Sequence, residues 1–162
     1  MVIVVMGPAG AGKSTVGAAL AASIGWKFVD ADEFHSHDSL AKMARGEPLT
    51  DRDRAGWLSA LHNVIARAAE RRESMVLACS ALTDAHRATL VGDGRSVRFA
   101  YLKNSAAVLR ARLTARQGHV AKANLLESQL ATLEEPVDAA LIFDGEADVD
   151  TIVARIRREF GA

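Results

Sequence analysis

The stretch Gly7-Pro8-Ala9-Gly10-Ala11-Gly12-Lys13-Ser14-Thr15 constrains this chain more than any other, because it carries the spacing G-x-x-x-x-G-K-[ST] of a phosphate-binding loop. Its flanks have the form that such a loop needs. Val2-Ile3-Val4-Val5-Met6 is short, apolar and β-branched, the composition of a strand buried on both faces. Val16, Ala19, Leu20 and Ile24 recur at helical spacing and stop at Gly25, a suitable C-cap. Glycines let the backbone wrap around phosphate oxygens, so that successive N–H groups and the helix N-terminus face the anion. On this reading the nine loop residues hold the phosphates of ATP. Lys13 reaches the β- and γ-phosphates, and the Ser14 hydroxyl ligates Mg²⁺.

A chain of 162 residues, 49% of them hydrophobic, can fill a complete core, and it is read as one domain over residues 1–162. Twenty acidic and twenty basic side chains cancel, so no global field draws it to nucleic acid or to an anionic membrane. Its one cysteine, Cys79, forms no internal disulfide and fits a reducing compartment. No apolar run near 18 residues occurs in this sequence, and the expectation is a soluble, cytoplasmic protein without a cleavable leader.

Further short apolar runs alternate with helical patterns. Lys27 to Asp30, Met75 to Cys79, Val97 to Leu102 and Ala140 to Phe143 read as strands. Helices are expected over 38–44, from Thr50 or Asp51 to about Arg71, over 83–91, 105–115, from the polar segment Arg116–Lys122 to Leu133, and over 148–160. This alternation predicts an α/β, three-layer P-loop kinase fold: a five-stranded parallel sheet flanked by helices, with its functional loops at the carboxyl ends of the strands. Helices at about 36–72 would form the substrate side, and a lid is expected at about 114–123.

Asp30 and Asp32 follow the second strand with period-two spacing, which in extended chain aims both carboxylates the same way. One would hold Mg²⁺, with Asp30 the first choice, and the other would accept the proton of the attacking hydroxyl, with Asp32 the first choice. The two roles can also be exchanged. Arg112 and Arg116 lie four apart, on one helical face, and suit a closing lid whose guanidiniums meet phosphoryl oxygens or a base. No histidine pair has zinc-ligand spacing with a cysteine. Asp144 reads as a turn acid, Cys79 as a packed strand residue, and Trp26 and Trp57 as core.

Beyond the loop, several blocks resemble the bacterial-type gluconokinases, which phosphorylate D-gluconate on its 6-hydroxyl using ATP. They are Asp30-Ala31-Asp32 with His35; Lys42-Met43 through Pro48-Leu49, Asp51, Asp53 and Arg54; Cys79-Ser80-Ala81-Leu82 with Arg87; Arg112 with Arg116, Gly118 and His119; and Leu125-Leu126-Glu127-Ser128-Gln129 through Pro136. The resemblance implies that Asp32 is the base, that His35, Arg54 and Arg87 line the sugar-acid pocket, and that Arg116 and His119 belong to the lid, with Lys13 and Arg116 acting on the transferred phosphoryl. Arg52, Arg54 and Arg87 all remain candidates for the substrate carboxylate. A homodimer is a further expectation from the family. The chain departs from the family pattern at Ser36 and Ser39 in the substrate-side loop, at Thr83, and at Val120 in the lid. A kinase for another small hydroxy acid such as shikimate, and a nucleotide-binding regulatory module without turnover, are the alternatives. The Lys42–Leu58 and Leu125–Pro136 blocks argue against the first, and the paired aspartates with a lid against the second.

Overall fold

The computed structural model describes residues 1–92, 97–115, 119–136 and 140–162, the side chains of 119–123 excepted. Strands β1 (Val2–Met6), β2 (Lys27–Asp30), β3 (Met75–Ala78), β4 (Val97–Lys103) and β5 (Leu141–Asp144) form one sheet in the order β2-β3-β1-β4-β5. Every pairing is parallel. β1 occupies the centre, with Val4 opposite Leu77 on one side and Phe99 on the other, and all five of its residues are buried. Its unbroken apolar composition is what a central parallel strand requires.

The helices are α1 (Lys13–Ile24), α2 (His37–Ala44), α3 (Asp51–Glu70), α4 (Asp84–Val91), α5 (Ala106–Thr114), α6 (His119–Thr132) and α7 (Val149–Phe160). Alternate residues of β1 point to opposite faces and seed two cores. Val2, Val4 and Met6 pack with Trp57, Leu61 and Ile65 of α3 and Leu90 of α4. Ile3 and Val5 pack with Leu20 of α1, Leu109 of α5, Leu126 of α6 and Ile156 of α7. The three-layer α/β architecture expected from the sequence is therefore present. Among the described residues no helix is long and apolar enough to cross a membrane.

Caps fix where these helices begin. Of the two candidates, Thr50 is the N-cap of α3: its hydroxyl accepts from Asp53 N–H while Asp53 accepts from Thr50 N–H, a complete capping box. Gly25 closes α1 in the left-handed region at φ 67°. The segment from Arg116 to Lys122 is not wholly a connection, since α6 already begins at His119. Arg116 and Gly118, the His119 and Val120 side chains, and Asp93-Gly94 of the turn before β4 lie outside the described residues.

Strand order places the site. The chain leaves β1 toward β2 on one side and leaves β3 toward β4 on the other, so the carboxyl ends of β1 and β3 flank a topological switch point. Gly7, just after β1, donates its N–H to Ser80 O at 3.4 Å, just after β3. A crevice opens there.

Candidate active site

The phosphate loop fills that crevice from below. Gly10 and Gly12 have φ of 83° and 92°, a region that side chains disfavour. A Cβ on Gly10 would also press within 3.2 Å of Leu109 O, whereas one on Gly12 would meet nothing within 4 Å, so the space before the loop is open. Gly12 is the N-cap of α1 and offers no side-chain cap, and the first turn carries no acid. The first-turn N–H groups are thus left to an anion, which the helix dipole also favours. The Lys13 ammonium folds back over the loop and donates to Pro8 O at 3.0 Å. From α6, the Gln129 carbonyl oxygen accepts Ala9 N–H at 2.6 Å.

Asp30 and Asp32 do not sit in extended chain as their spacing predicts. After Asp30 the backbone winds into one 3-10 turn, Ala31–Phe34, because Asp30 Oδ1 caps it by accepting from Asp32 N–H at 3.0 Å. The turn sends the carboxylates to different tasks. Asp30 Oδ2 accepts a 2.6 Å hydrogen bond from Ser14 Oγ, while Asp32 lines the cavity with 71% of its side chain exposed. A serine hydroxyl beside a carboxylate is a hard oxygen donor set of the kind Mg²⁺ prefers.

From the loop extends a cavity of about 390 Å³ whose far wall comes from the Ala31–Phe34 turn and from α2, α3 and α4. Arg54 and Trp57, three apart on α3, both face it. Trp57 is more than the core residue its apolar stripe predicts. Its indole N–H donates to Ala31 O at 2.7 Å, and its ring stacks on His35 with centroids 4.6 Å apart and planes 9° apart. His35 Nε2 stands 3.9 Å from Asp32 Oδ1. Burial, aided by Arg54, holds the imidazole below its ordinary pKa of 6.5 against the pull of Asp32, so His35 is neutral at neutral pH. Arg54 Nη1 is 3.5 Å from Asp51 Oδ1.

The block around it is scaffold. Lys42 of α2 grips both Asp53 oxygens at 2.8 Å, which with the Thr50 hydrogen bonds holds that carboxyl well below the usual range. The clamp sets α2 against α3 and so orients Arg54. Cys79 is fully buried, and desolvation pushes its thiol up to about 12, which suits packing and not nucleophilic chemistry. Asp144 accepts from Glu146 N–H, as a turn acid does.

Two arginines stand elsewhere than expected. Arg87 does not line the cavity: it is 3% exposed, donates to Ala81 O at 2.9 Å and Glu134 O at 3.0 Å, and pairs with Asp84. A buried guanidinium must satisfy its donors, and two backbone carbonyls and the Asp84 carboxylate meet its terminal nitrogens, while Nε has no partner among the described residues. Arg112 likewise spends its donors on Asn104 Oδ1 at 2.9 Å, Gly145 O at 3.0 Å and Gly10 O at 3.4 Å, so it braces the loop from behind. Conversely, His86 of α4 and Gln129 of α6 line the cavity although neither was singled out for binding. The signal for Gln129 was its place in the Leu125–Pro136 block of the resemblance, which assigned it no role.

A phosphate loop at the switch point of a five-stranded parallel sheet, opening onto a cavity that holds Asp32, His35 and Arg54, defines a P-loop kinase. A family model described as an AAA domain matches residues 2–136. A gluconokinase from Gluconobacter oxydans is 40% identical over 99% of this chain and 91% of its own length. The crystal structure of a sugar kinase from Janibacter superposes with a TM-score of 0.90 at 38% identity, covering 99% of this chain and 94% of the other. That of a gluconokinase from Sinorhizobium meliloti does so at 0.84 and 36%, covering 98% and 94%. The chain belongs to the gluconokinase family.

Proposed function

We propose that this protein is a cytoplasmic kinase that transfers the γ-phosphoryl group of ATP to the 6-hydroxyl of D-gluconate. The observation that carries the reading is one continuous cavity lined both by Lys13 and Ser14 of the phosphate loop and by Asp32, His35 and Arg54. Membership of the gluconokinase family supports the choice of acceptor.

The loop amides and Lys13 bind the phosphates and stabilise charge on the transferred group. Ser14 and Asp30 would hold Mg²⁺, which supplies charge neutralisation at the phosphates. Asp32 accepts the proton of the attacking hydroxyl as the new P–O bond forms and the bond to ADP breaks. Arg54 supplies a cation for the acid's carboxylate, and neutral His35, fixed by Trp57, offers a ring nitrogen to a sugar hydroxyl. ADP release that depends on both D-gluconate and ATP, and that Lys13→Ala abolishes, tests the reading. A wild-type protein that binds ATP and releases no ADP with gluconate present would overturn it.

A further inference from the structure

We propose that His86 is a further acceptor-binding residue, which together with Arg54 forms the subsite for the substrate's carboxylate and takes up a proton as that carboxylate arrives. The inference rests on the sugar-acid reading above.

His86 is the third residue of α4, and its N–H is fixed by the Thr83 cap at 3.1 Å. Its ring lines the same cavity as Arg54. Its Nδ1 is buried and has no hydrogen-bond partner among the described residues. A buried polar atom left without a partner is costly, and His35 Nδ1 in the same cavity is in the same condition, as is Arg87 Nε outside it. Four charged groups surround the ring: Asp51 and Arg54 on α3, Arg87 on its own helix, and Glu134 after α6. Arg87 and Glu134 are engaged elsewhere, and Asp51 and Arg54 lie against each other. Arg87 is held by Ala81 O and Glu134 O, and Glu134 accepts from Asp84 N–H at 2.6 Å. Lys13 and Arg54 are the cations that share the cavity with His86 among the described residues, and Lys13 belongs to the phosphate loop, which leaves Arg54 for the carboxylate.

In the empty site burial, then Arg54, keeps the imidazole below its ordinary pKa, with Asp51 and Glu134 opposing and Arg87 reinforcing. A carboxylate placed between the ring and Arg54 reverses the local sign and favours imidazolium. Binding is then linked to proton uptake. Affinity is constant below the free-state pKa, weakens as pH rises toward the higher bound-state pKa, and levels off above it. Arg54 alone would give no such slope, because a guanidinium does not titrate in this range.

The test is calorimetric titration of the intact protein with D-gluconate in buffers of different ionisation enthalpy, with KM and kcat followed from mildly acid to mildly alkaline pH. Net proton uptake is expected with gluconate and none with D-glucitol, the polyol that lacks the carboxylate. H86Q should lose the uptake and flatten the pH dependence of KM, raising KM about tenfold below neutrality with kcat little changed. H35Q should keep the pH slope. Gluconate turnover by a wild-type protein that takes up no proton, or an H86Q variant that retains the slope, overturns the assignment of His86 and leaves the gluconokinase reading standing. Absence of any gluconate-dependent ADP release overturns both.

Discussion

Ser14 Oγ donates to Asp30 Oδ2 at 2.6 Å, tying the first residue after the loop lysine to the last residue of β2, two strands away from β1 in the sheet. This pair is the oxygen donor set proposed for Mg²⁺. Asp30→Asn keeps the shape and one hydrogen-bonding oxygen but removes the charge. The Mg²⁺ concentration for half-maximal turnover should rise about 10–100-fold. A magnesium titration of initial rate checks this, and an unchanged midpoint would remove Asp30 from the metal site.

Asp32 lies in the cavity and, among the described residues, its carboxylate has no partner closer than the 3.9 Å approach of His35, which leaves it available to a hydroxyl. Asp32→Asn should lower kcat by about 10²–10⁴-fold, the usual span for a general base, while nucleotide affinity stays within about threefold. Single-turnover rates combined with ATP binding separate the two effects. Equal kcat in the variant would return the role of base to Asp30.

Arg87 is expected to matter for stability and not for acceptor affinity. Arg87→Met leaves Ala81 O and Glu134 O unpaired and should cost about 2–4 kcal/mol. In a chain of 162 residues that corresponds to a fall in Tm of about 5–15 °C. Thermal unfolding and gluconate KM of the same preparation decide it: a large rise in KM without a change in Tm would restore Arg87 to the substrate's carboxylate.

The buried imidazoles make a pH prediction for the ligand-free protein. Both His35 and His86 are held below their unfolded value of 6.5, mainly by burial. Between the folded and unfolded values the unfolded chain binds more protons, so stability is highest above about pH 6.5 and falls as pH drops through that value. Urea unfolding at several pH values should show it, and His35→Phe should shrink the acid loss. A Tm that rises on acidification would contradict the burial argument.

What could be read from the sequence was whatever local chemistry dictates. Gly10 and Gly12 demand their conformations within the loop itself, Thr50 reaches its own N3 residue, and the apolar run of β1 states its burial outright. The resemblance carried Asp32, His35 and Arg54 to one cavity. Tertiary partners hid the rest. Period-two spacing could not anticipate that Asp30 caps a 3-10 turn and turns toward Ser14. A motif block does not distinguish a pocket cation from a scaffold cation, so Arg87 and Arg54 looked alike until their partners were seen. Trp57 was read by its apolar face alone, although an indole also carries a donor that must be satisfied. Gln129 meets Ala9 across most of the chain, a contact that no local pattern encodes.

The central claim is that this cavity phosphorylates a sugar acid. The most direct measurement is kcat/KM for ADP release across D-gluconate, other aldonic acids, shikimate and nucleoside monophosphates, with the product identified by phosphorus NMR. D-Gluconate should give the highest value and a product phosphorylated at the 6-oxygen. A preference for shikimate or a nucleotide, or ADP release that no acceptor accelerates, would contradict the account.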